Sequence, residues 1–339
     1  MIKKIIFLFL IITGILAIIV CLLLKYLSLK TNTEPLYFPK LFISVQKHPS
    51  LTSEFNFLIL GVDPRNDNLE KTNTTDTIIF ANYSTNYKIN LLSIPRDLWN
   101  YFLNAKINQI YPLSIGQTNQ YQYLQSQFQQ IINQKIDRTI VLTTQNLIDL
   151  VRLIGGVDVY LSTGFKDEMY PNPEYIASPS AKTPIYKTIE FPQGKIHLDE
   201  NNITEFVRSR KGAETAASGG TDIGRIERQQ ILLNALFLKL KSIDYFHQPQ
   251  LVFNLYLFFH QIHTNFSDSD LFSIFLNSYR HLNLVTINKI NLSTGDNSKT
   301  NLLYHPTVFI NSQWVFLPQD KDYSRFQEFI SHAINEPNP

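Results

Sequence analysis

Cysteine occurs once in this 339-residue chain, at Cys21. No disulfide can close within it, no cysteine metal site is available, and cysteine usage does not reveal the compartment. The eight histidines show neither HxxxH nor HExxH spacing, which leaves no zinc-peptidase helix. There is no GxSxG stretch and no Walker-type glycine loop, so a nucleophile elbow and a P-loop are both excluded. A dominant charge is also missing: the formal net charge is +2. Without a strong basic stripe or a helix-turn-helix motif, a nucleic-acid-binding regulator is not supported.

Hydrophobic residues make up 44% of the chain, enough to fill a sizeable core. At the N-terminus, after Lys3 and Lys4, residues 5–24 carry no charge over 20 positions. A helix of that length spans about 30 Å, the thickness of a bilayer core. No small-residue cleavage site follows near Lys25-Tyr26-Leu27-Ser28, and no small residue precedes Cys21 as in a lipidated cysteine. An uncleaved anchor is therefore favoured over a cleaved signal peptide. Lys25 and Lys30 beyond the run balance Lys3 and Lys4 before it, so charge alone leaves orientation open. Residues 25–53 are polar, with prolines at 35, 39 and 49, and read as a stalk. The expected order is residues 1–4, an anchor over 5–24, a stalk over 25–53 and one domain over 54–335.

Three apolar runs open that domain. Phe57 to Val62 stops at Asp63-Pro64-Arg65; Ile78 to Ala81 follows Thr75-Asp76-Thr77; Ile89 to Ile94 ends at Pro95-Arg96-Asp97. Short apolar runs between turn residues read as buried strands. If they run up, down and up, Asp63, Asp76 and Arg96 converge on one rim. Paired carboxylates beside arginines suit a divalent cation holding a phosphorylated ligand. Lys106-Ile107-Asn108 follows closely enough to line the same edge.

Further along, Leu124, Phe128, Ile131 and Ile132 have helical spacing within 117–133, and 140–142 reads as a strand. A helix over 146–154 ends at Gly155-Gly156, and 157–161 returns as a strand. The Pro-, Ser-, Tyr- and Lys-rich stretch 164–188 reads as an inserted loop. Asp199 is a candidate N-cap for a helix through Phe206, with Arg208 and Arg210 at its end. The spacing predicts a long helix over 226–240, with Arg225 and Gln229 on one face. Gly219, Gly220 and Gly224 before it would let a phosphate approach the helix N-terminus. Planar arginine forks suit pyrophosphate better than lysine does. Beyond 244, residues 253–259 are apolar, Ser267 to Asp270 looks like a helix start, and 304–316 resembles paired strands. Strands mixed with helices of these lengths imply a sheet covered on both faces. Taken singly, these charged groups are equally ordinary turn, cap and surface residues.

In combination they are specific. Leu60-Gly61-Val62-Asp63, Asp76-Thr77 and Ser93-Ile94-Pro95-Arg96-Asp97 resemble the start of the LytR-CpsA-Psr family. Lys106-Ile107-Asn108, Gly155-Gly156-Val157, Val207-Arg208-Ser209-Arg210 and the block Asp222 to Gln230 resemble its later motifs. The resemblance spans roughly 54–335 and is best over 57–110 and 194–236.

It implies an α/β/α sandwich with a mixed central sheet behind one N-terminal transmembrane helix. It also implies a single-pass protein of the cell membrane, N-terminus cytoplasmic and catalytic domain outside. The implied reaction is a Mg²⁺-dependent phosphotransfer. It moves a glycan such as teichoic acid or capsular polysaccharide from a polyprenyl pyrophosphate carrier to peptidoglycan. Asp63 and Asp76 would take part in binding Mg²⁺. Arg96, Arg208, Arg210, Arg225 and Gln229 would hold the pyrophosphate, with Arg65 and Lys106 as weaker additions. Arg96, Arg225 and Asp97 would act in catalysis, Asp97 or a metal-linked aspartate taking the hydroxyl proton. The polyprenyl chain would need an apolar channel, for which strands 57–62 and 78–81 and the helix 226–240 offer walls. Where the family commonly has Arg-Ser-Asp-Thr, this chain has Thr74-Thr75-Asp76-Thr77. One arginine is therefore missing, which keeps open a noncatalytic lipid-linked glycan binder. With water as acceptor, the same site would be a pyrophosphate hydrolase.

Overall fold

The computed structural model describes residues 18–34, 36–47, 54–62, 74–84, 86–180, 182–209, 222–244, 247–281, 283–295, 297, 299 and 301–335. Helix α1 (residues 18–31) leads to α2 (Tyr37–Lys47), strands β1 (Phe55–Val62), β2 (Thr75–Tyr83) and β3 (Lys88–Ser93), and the short pair β4 (Trp99–Asn100) and β5 (Ala105–Lys106). Next come α3 (Ile110–Ser114), α4 (Gln120–Ile132), β6 (Arg138–Thr143), α5 (Thr144–Leu153), β7 (Val157–Leu161), β8 (Phe165–Pro171), α6 (Pro173–Ala177), β9 (Tyr186–Phe191) and β10 (Gly194–Leu198). The rest of the chain forms α7 (Ile203–Arg208), α8 (Asp222–Lys241), α9 (Pro249–Phe259), β11 (His263–Thr264), α10 (Asp268–His281), β12 (Thr286–Ile290), β13 (Thr294–Gly295), β14 (Leu303–Tyr304), β15 (Leu317–Pro318) and α11 (Ser324–Asn335).

Two compact units emerge: Met1–Thr52 with Phe266–His281, and Ser53–Asn265 with Leu282–Pro339. In the first, α2 packs on α10 through buried Leu41 and Val45, an edge-on pair of Phe42 and Phe272, and a hydrogen bond from the Tyr37 hydroxyl to Asp268. The Ser267 hydroxyl accepts from the Asp270 amide at 3.2 Å while the Asp270 carboxylate accepts from the Ser267 amide at 2.9 Å. This reciprocal cap starts α10 where the sequence places a helix start. Of the apolar run 5–24, residues 5–17 lie outside the described residues and 18–24 lie in α1. Among the described residues no helix is long and apolar enough to cross a membrane. The stretch expected as a stalk contains α2.

In the second unit six strands form a mixed sheet in the order β11-β6-β1-β2-β3-β12. β2 is antiparallel to both β1 and β3, whereas β6 runs parallel to β1 and β12 parallel to β3. Alternation along the strands sends Leu58, Leu60, Ile78, Phe80 and Leu92 to one face, where Leu124 and Phe128 of α4 and Phe326 and Ile330 of α11 cover them. Each such fully buried side chain contributes roughly 1.5–3 kcal/mol. Phe57, Ile59, Ile79, Ala81 and Leu91 point to the other face and meet Leu233 of α8. Helices on both faces of a mixed sheet give the α/β architecture expected from the strand and helix pattern. The four α4 residues named for their spacing are all buried.

A second core gathers α5, β7, β10, α7, α8 and the β8–β9 hairpin. α5 ends as expected at Gly155 and Gly156, with φ of +71° and +76°. A Cβ on Gly156 would also stand 2.9 Å from the Leu198 carbonyl oxygen, so no other residue fits there.

Two expectations are corrected. The stretch 164–188 is no loop: β8 and β9 pair antiparallel, with Phe165, Asp167, Tyr170, Ile189 and Phe191 buried. An irregularity between Asp167 and Tyr170 interrupts the period-two alternation and hides the strand. Asn202, not Asp199, is the residue before α7. Asp199 instead accepts from the Asn201 amide at 2.8 Å, shaping the preceding turn.

Candidate functional site

β1 ends where β2 begins: Val62 pairs with Thr75 and Gly61 with Thr77. A Cβ at Gly61 would lie 2.9 Å from that of Thr77, so glycine there lets the two strands close at their ends. β3 ends at the same edge, and the Ile94 amide donates to the Ile78 carbonyl at 2.9 Å. The up-down-up order therefore creates the expected rim.

Asp76 leaves this rim at the start of β2 and pairs with the Arg96 guanidinium. Arg96 also reaches Asp97, Nε to Oδ2 at 3.4 Å. The other oxygen of Asp97 accepts from Lys106 Nζ at 2.7 Å. Asp76, Arg96, Asp97 and Lys106 thus form one alternating chain of charges. Asp97 is buried, and both its oxygens are engaged by cations. Backbone bonds hold the chain in place: Trp99 pairs with Lys106, and the Asn108 amide donates to the Arg96 carbonyl at 3.3 Å. Partly buried charges of alternating sign are stable together and costly to break singly.

α8 brings in two further arginines, Arg225 and Arg228. Gln230 Nε2 donates to the Ser93 hydroxyl at 3.1 Å, and both side chains are buried. That bond fixes the first turns of α8 against the end of β3, three residues before Arg96. Arg225 is buried one turn upstream of Arg228, and Gln229 follows on the Arg225 face, half-buried.

Sequence reasoning missed the residue that organises this region. Arg228 is buried, donates from Nε to the Phe206 carbonyl at 3.1 Å and also bonds the Ser209 carbonyl. Its guanidinium stacks over Phe165, 4.4 Å from the ring centre. Burial, then the neighbouring Arg225 charge, lowers its pKa to about 10, opposed by Asp167 and Glu227. It stays protonated at neutral pH. Asp167 completes the tie: its carboxylate accepts from the Ser209 hydroxyl at 2.7 Å and from the Met169 amide at 3.0 Å. Arg208, exposed at the last position of α7, precedes the Ser209 that Arg228 and Asp167 hold. The available signal was spacing, since Arg228 lies three residues after Arg225. Its partner Asp167 sat in the stretch read as a loop.

Of the residues named from sequence, the structure joins Asp76, Arg96, Asp97 and Lys106 in one cluster. It places Arg225 and Gln229 on the helix tied to that cluster's edge. Arg208 lies beside the Arg228 staple. Asp63, Arg65 and Arg210 lie outside the described residues. A magnesium ion takes oxygen ligands, keeps several waters and needs only one or two carboxylates beside substrate phosphates. The partly exposed Asp76 carboxylate at the rim fits that requirement. Among the described residues no group of three or more His, Cys, Asp or Glu side chains could hold a metal by itself.

The model of the LytR_cpsA_psr family matches residues 30–327. The chain belongs to that family. The match starts within the stretch expected as a stalk. A curated relative, the polyisoprenyl-teichoic acid–peptidoglycan teichoic acid transferase TagU of Oceanobacillus iheyensis, is 28% identical over 201 residues. That alignment takes in 56% of this chain and 52% of the relative, so the chain spans about half the length of the curated relative it matches. Among solved structures, B. subtilis TagV has a TM-score of 0.56 at 18% identity, covering 85% of this chain and 100% of that one. A structure of TagT bound to LIIa-WTA has 0.55 at 16% identity, covering 84% and 92%. An Enterococcus faecalis protein called a transcriptional regulator has 0.56 at 19% identity, covering 83% and 88%. At these identities the shared property is the LytR_cpsA_psr fold, whatever each protein is called.

Proposed function

We propose that this chain is a phosphotransferase that moves a glycan polymer from a polyprenyl pyrophosphate carrier to peptidoglycan, releasing polyprenyl phosphate. The observation that carries the reading is the Asp76–Arg96–Asp97–Lys106 charge chain on a rim to which Gln230 ties the arginine-bearing helix α8. The TagU relative and the TagT complex with a lipid-linked wall teichoic acid support the same substrate class.

A hydroxyl oxygen of the acceptor sugar attacks the phosphorus that bears the glycan. The bond from that phosphorus to the bridging oxygen breaks, and polyprenyl phosphate departs with the electron pair. Arg96, Arg225, Arg208, Arg210, Gln229, Lys106 and Arg65 bind and orient the pyrophosphate and offset its growing charge. Asp97, paired with Arg96 and Lys106, holds both cations in position. The hydroxyl proton passes to Asp97 or to the metal-linked Asp76, and the greater exposure of the Asp76 side chain, 33% against 9%, favours Asp76. Mg²⁺, held by Asp76 and Asp63, would supply charge neutralisation at the phosphate oxygens. For the polyprenyl chain we assign the apolar face of β1–β3 that meets Leu233 of α8, whose packed side chains would have to part to admit it. The uncharged run 5–24 anchors the protein in the cell membrane with the catalytic unit outside.

A second reading, noncatalytic binding of the same lipid-linked glycan, draws on Thr74 in place of the family's arginine. Glycan transfer assayed with purified donor and peptidoglycan separates the two. Arg96→Ala with an unchanged circular dichroism spectrum should abolish transfer, whereas a wild-type protein that binds donor without transferring it supports the binder.

A further inference from the structure

The proposed reaction requires an acceptor sugar near the rim, and a second feature of the surface has the chemistry to receive one. Residues 305–316 form a tight hairpin in which the Ile310 and Gln313 amides donate to each other's carbonyls at 3.1 and 2.8 Å. Asn311 and Ser312 turn it with φ of +48° and +59°. One residue beyond the bridge on each strand stand Phe309 and Trp314, 60% and 37% exposed. His305 packs against both rings, with centroids 6.2 and 4.6 Å away, and Trp314 meets Phe316 edge-on at 4.6 Å. The His305 ring is itself fixed by its 3.1 Å contact with the Val315 carbonyl. These exposed aromatic rings are joined through His305, unlike isolated apolar residues on a surface.

The hairpin is bonded directly to the charge chain. The Phe316 amide donates to the Asp97 carbonyl at 2.9 Å, and the Trp99 amide donates to the Phe316 carbonyl at 2.8 Å. Trp314 is two residues along the chain from Phe316, the residue bonded to Asp97, about 7 Å of extended backbone. Leu98, Ile107, Ile110, Leu303 and Phe316 pack on the sheet face of Leu58, Leu60 and Phe80, opposite the face that meets Leu233 of α8, and the hairpin extends from there through Val315, which packs with Trp99.

We infer that Phe309 and Trp314 form a stacking platform for a sugar ring of the peptidoglycan acceptor strand. This rests on the transfer reaction proposed above. Aromatic faces offer the apolar side of a pyranose a large flat contact at small entropic cost. The choice of acceptor over donor follows from the direction of phosphoryl transfer. Attacking and leaving oxygens lie roughly in line across the phosphorus. With the polyprenyl group on the α8 face of the sheet, as assigned under the proposed function, the attacking hydroxyl enters from the opposite face, where the base of the hairpin packs.

The test uses the full chain in detergent micelles, titrated calorimetrically with uncrosslinked peptidoglycan glycan strands and, separately, with polyprenyl pyrophosphate-linked glycan. Trp314→Ala and Phe309→Ala are each expected to weaken strand binding about tenfold or more, the effect of losing one large ring contact, while donor binding stays unchanged. Trp314→Phe should recover most of the affinity, which a merely unfolded hairpin would not. Equal strand affinity in wild-type, Trp314→Ala and Phe309→Ala overturns the platform even if transfer continues, and so does loss of donor binding in place of strand binding. The transfer reading itself stands or falls separately, on the Arg96→Ala assay.

Discussion

Gln230 donates to the Ser93 hydroxyl at 3.1 Å, joining helix α8 to the last residue of β3. Both groups are buried, and the bond spans 137 residues of chain. It sets the register between the arginines of α8 and the Arg96–Asp97 pair three residues beyond Ser93.

Gln230→Leu should therefore lower stability by only about 1–2 kcal/mol, the cost of one buried hydrogen bond and an orphaned hydroxyl. Its effect on transfer should be larger than that, because Arg225 and Gln229 lose their placement. Urea denaturation and initial transfer rates measured on the same preparation check this. A rate that falls no more than the folded fraction does would contradict a positioning role.

Arg228→Met should cost about 3–5 kcal/mol. It removes a buried cation and leaves the Phe206 and Ser209 carbonyls and the Asp167 carboxylate without it. Arg228→Lys should not restore the loss, since an ammonium cannot reproduce the planar fork or its stacking on Phe165. The midpoint of urea unfolding reads both variants.

Tyr323 makes stability depend on alkaline pH. Its hydroxyl donates to the Trp99 carbonyl at 2.6 Å and accepts from the Tyr101 amide at 3.1 Å, and burial raises its pKa to about 12. A raised phenol pKa means the folded state holds its proton while the unfolded state, near 10, releases it. The stabilisation is complete below pH 10 and is lost as pH climbs towards 12. Thermal melts should show wild-type losing stability across that window more steeply than Tyr323→Phe. Parallel curves for the two proteins would refute the assignment.

Gly61→Ala should destabilise by about 1–3 kcal/mol, since its methyl group would collide with Thr77 and push apart the two strand ends that form the rim. Thr77→Gly in the same chain should return most of that stability, as read by the same unfolding midpoint.

What the amino-acid sequence made legible follows physical range. β1, β2 and β3 announced themselves because each is a short apolar run stopped by turn residues, and their succession alone implied that Asp76 and Arg96 meet. The α4 face was readable from the spacing of Leu124, Phe128, Ile131 and Ile132. Asp167 was not, because its meaning comes from Ser209 and Arg228, far along the chain, and an irregularity in β8 breaks the strand pattern. The partnership of α2 with α10 was equally hidden. Its contacts, such as Phe42 on Phe272, join segments more than two hundred residues apart, and neither helix carries a mark of the other. Arg228 lay within a recognised motif, yet its bonds to the Phe206 and Ser209 carbonyls and its stacking on Phe165, which mark it as structural, belong to the folded state.

The central claim is that cations gathered at the sheet rim stabilise charge on a transferring phosphoryl group. Transfer of glycan from polyprenyl pyrophosphate to peptidoglycan by folded Arg96→Ala, measured against wild-type, tests it most directly. The expected result is a fall of about 10²-fold or more, as for removal of a preorganised charge-stabilising donor. Transfer by a properly folded Arg96→Ala protein at a rate close to wild-type would contradict it.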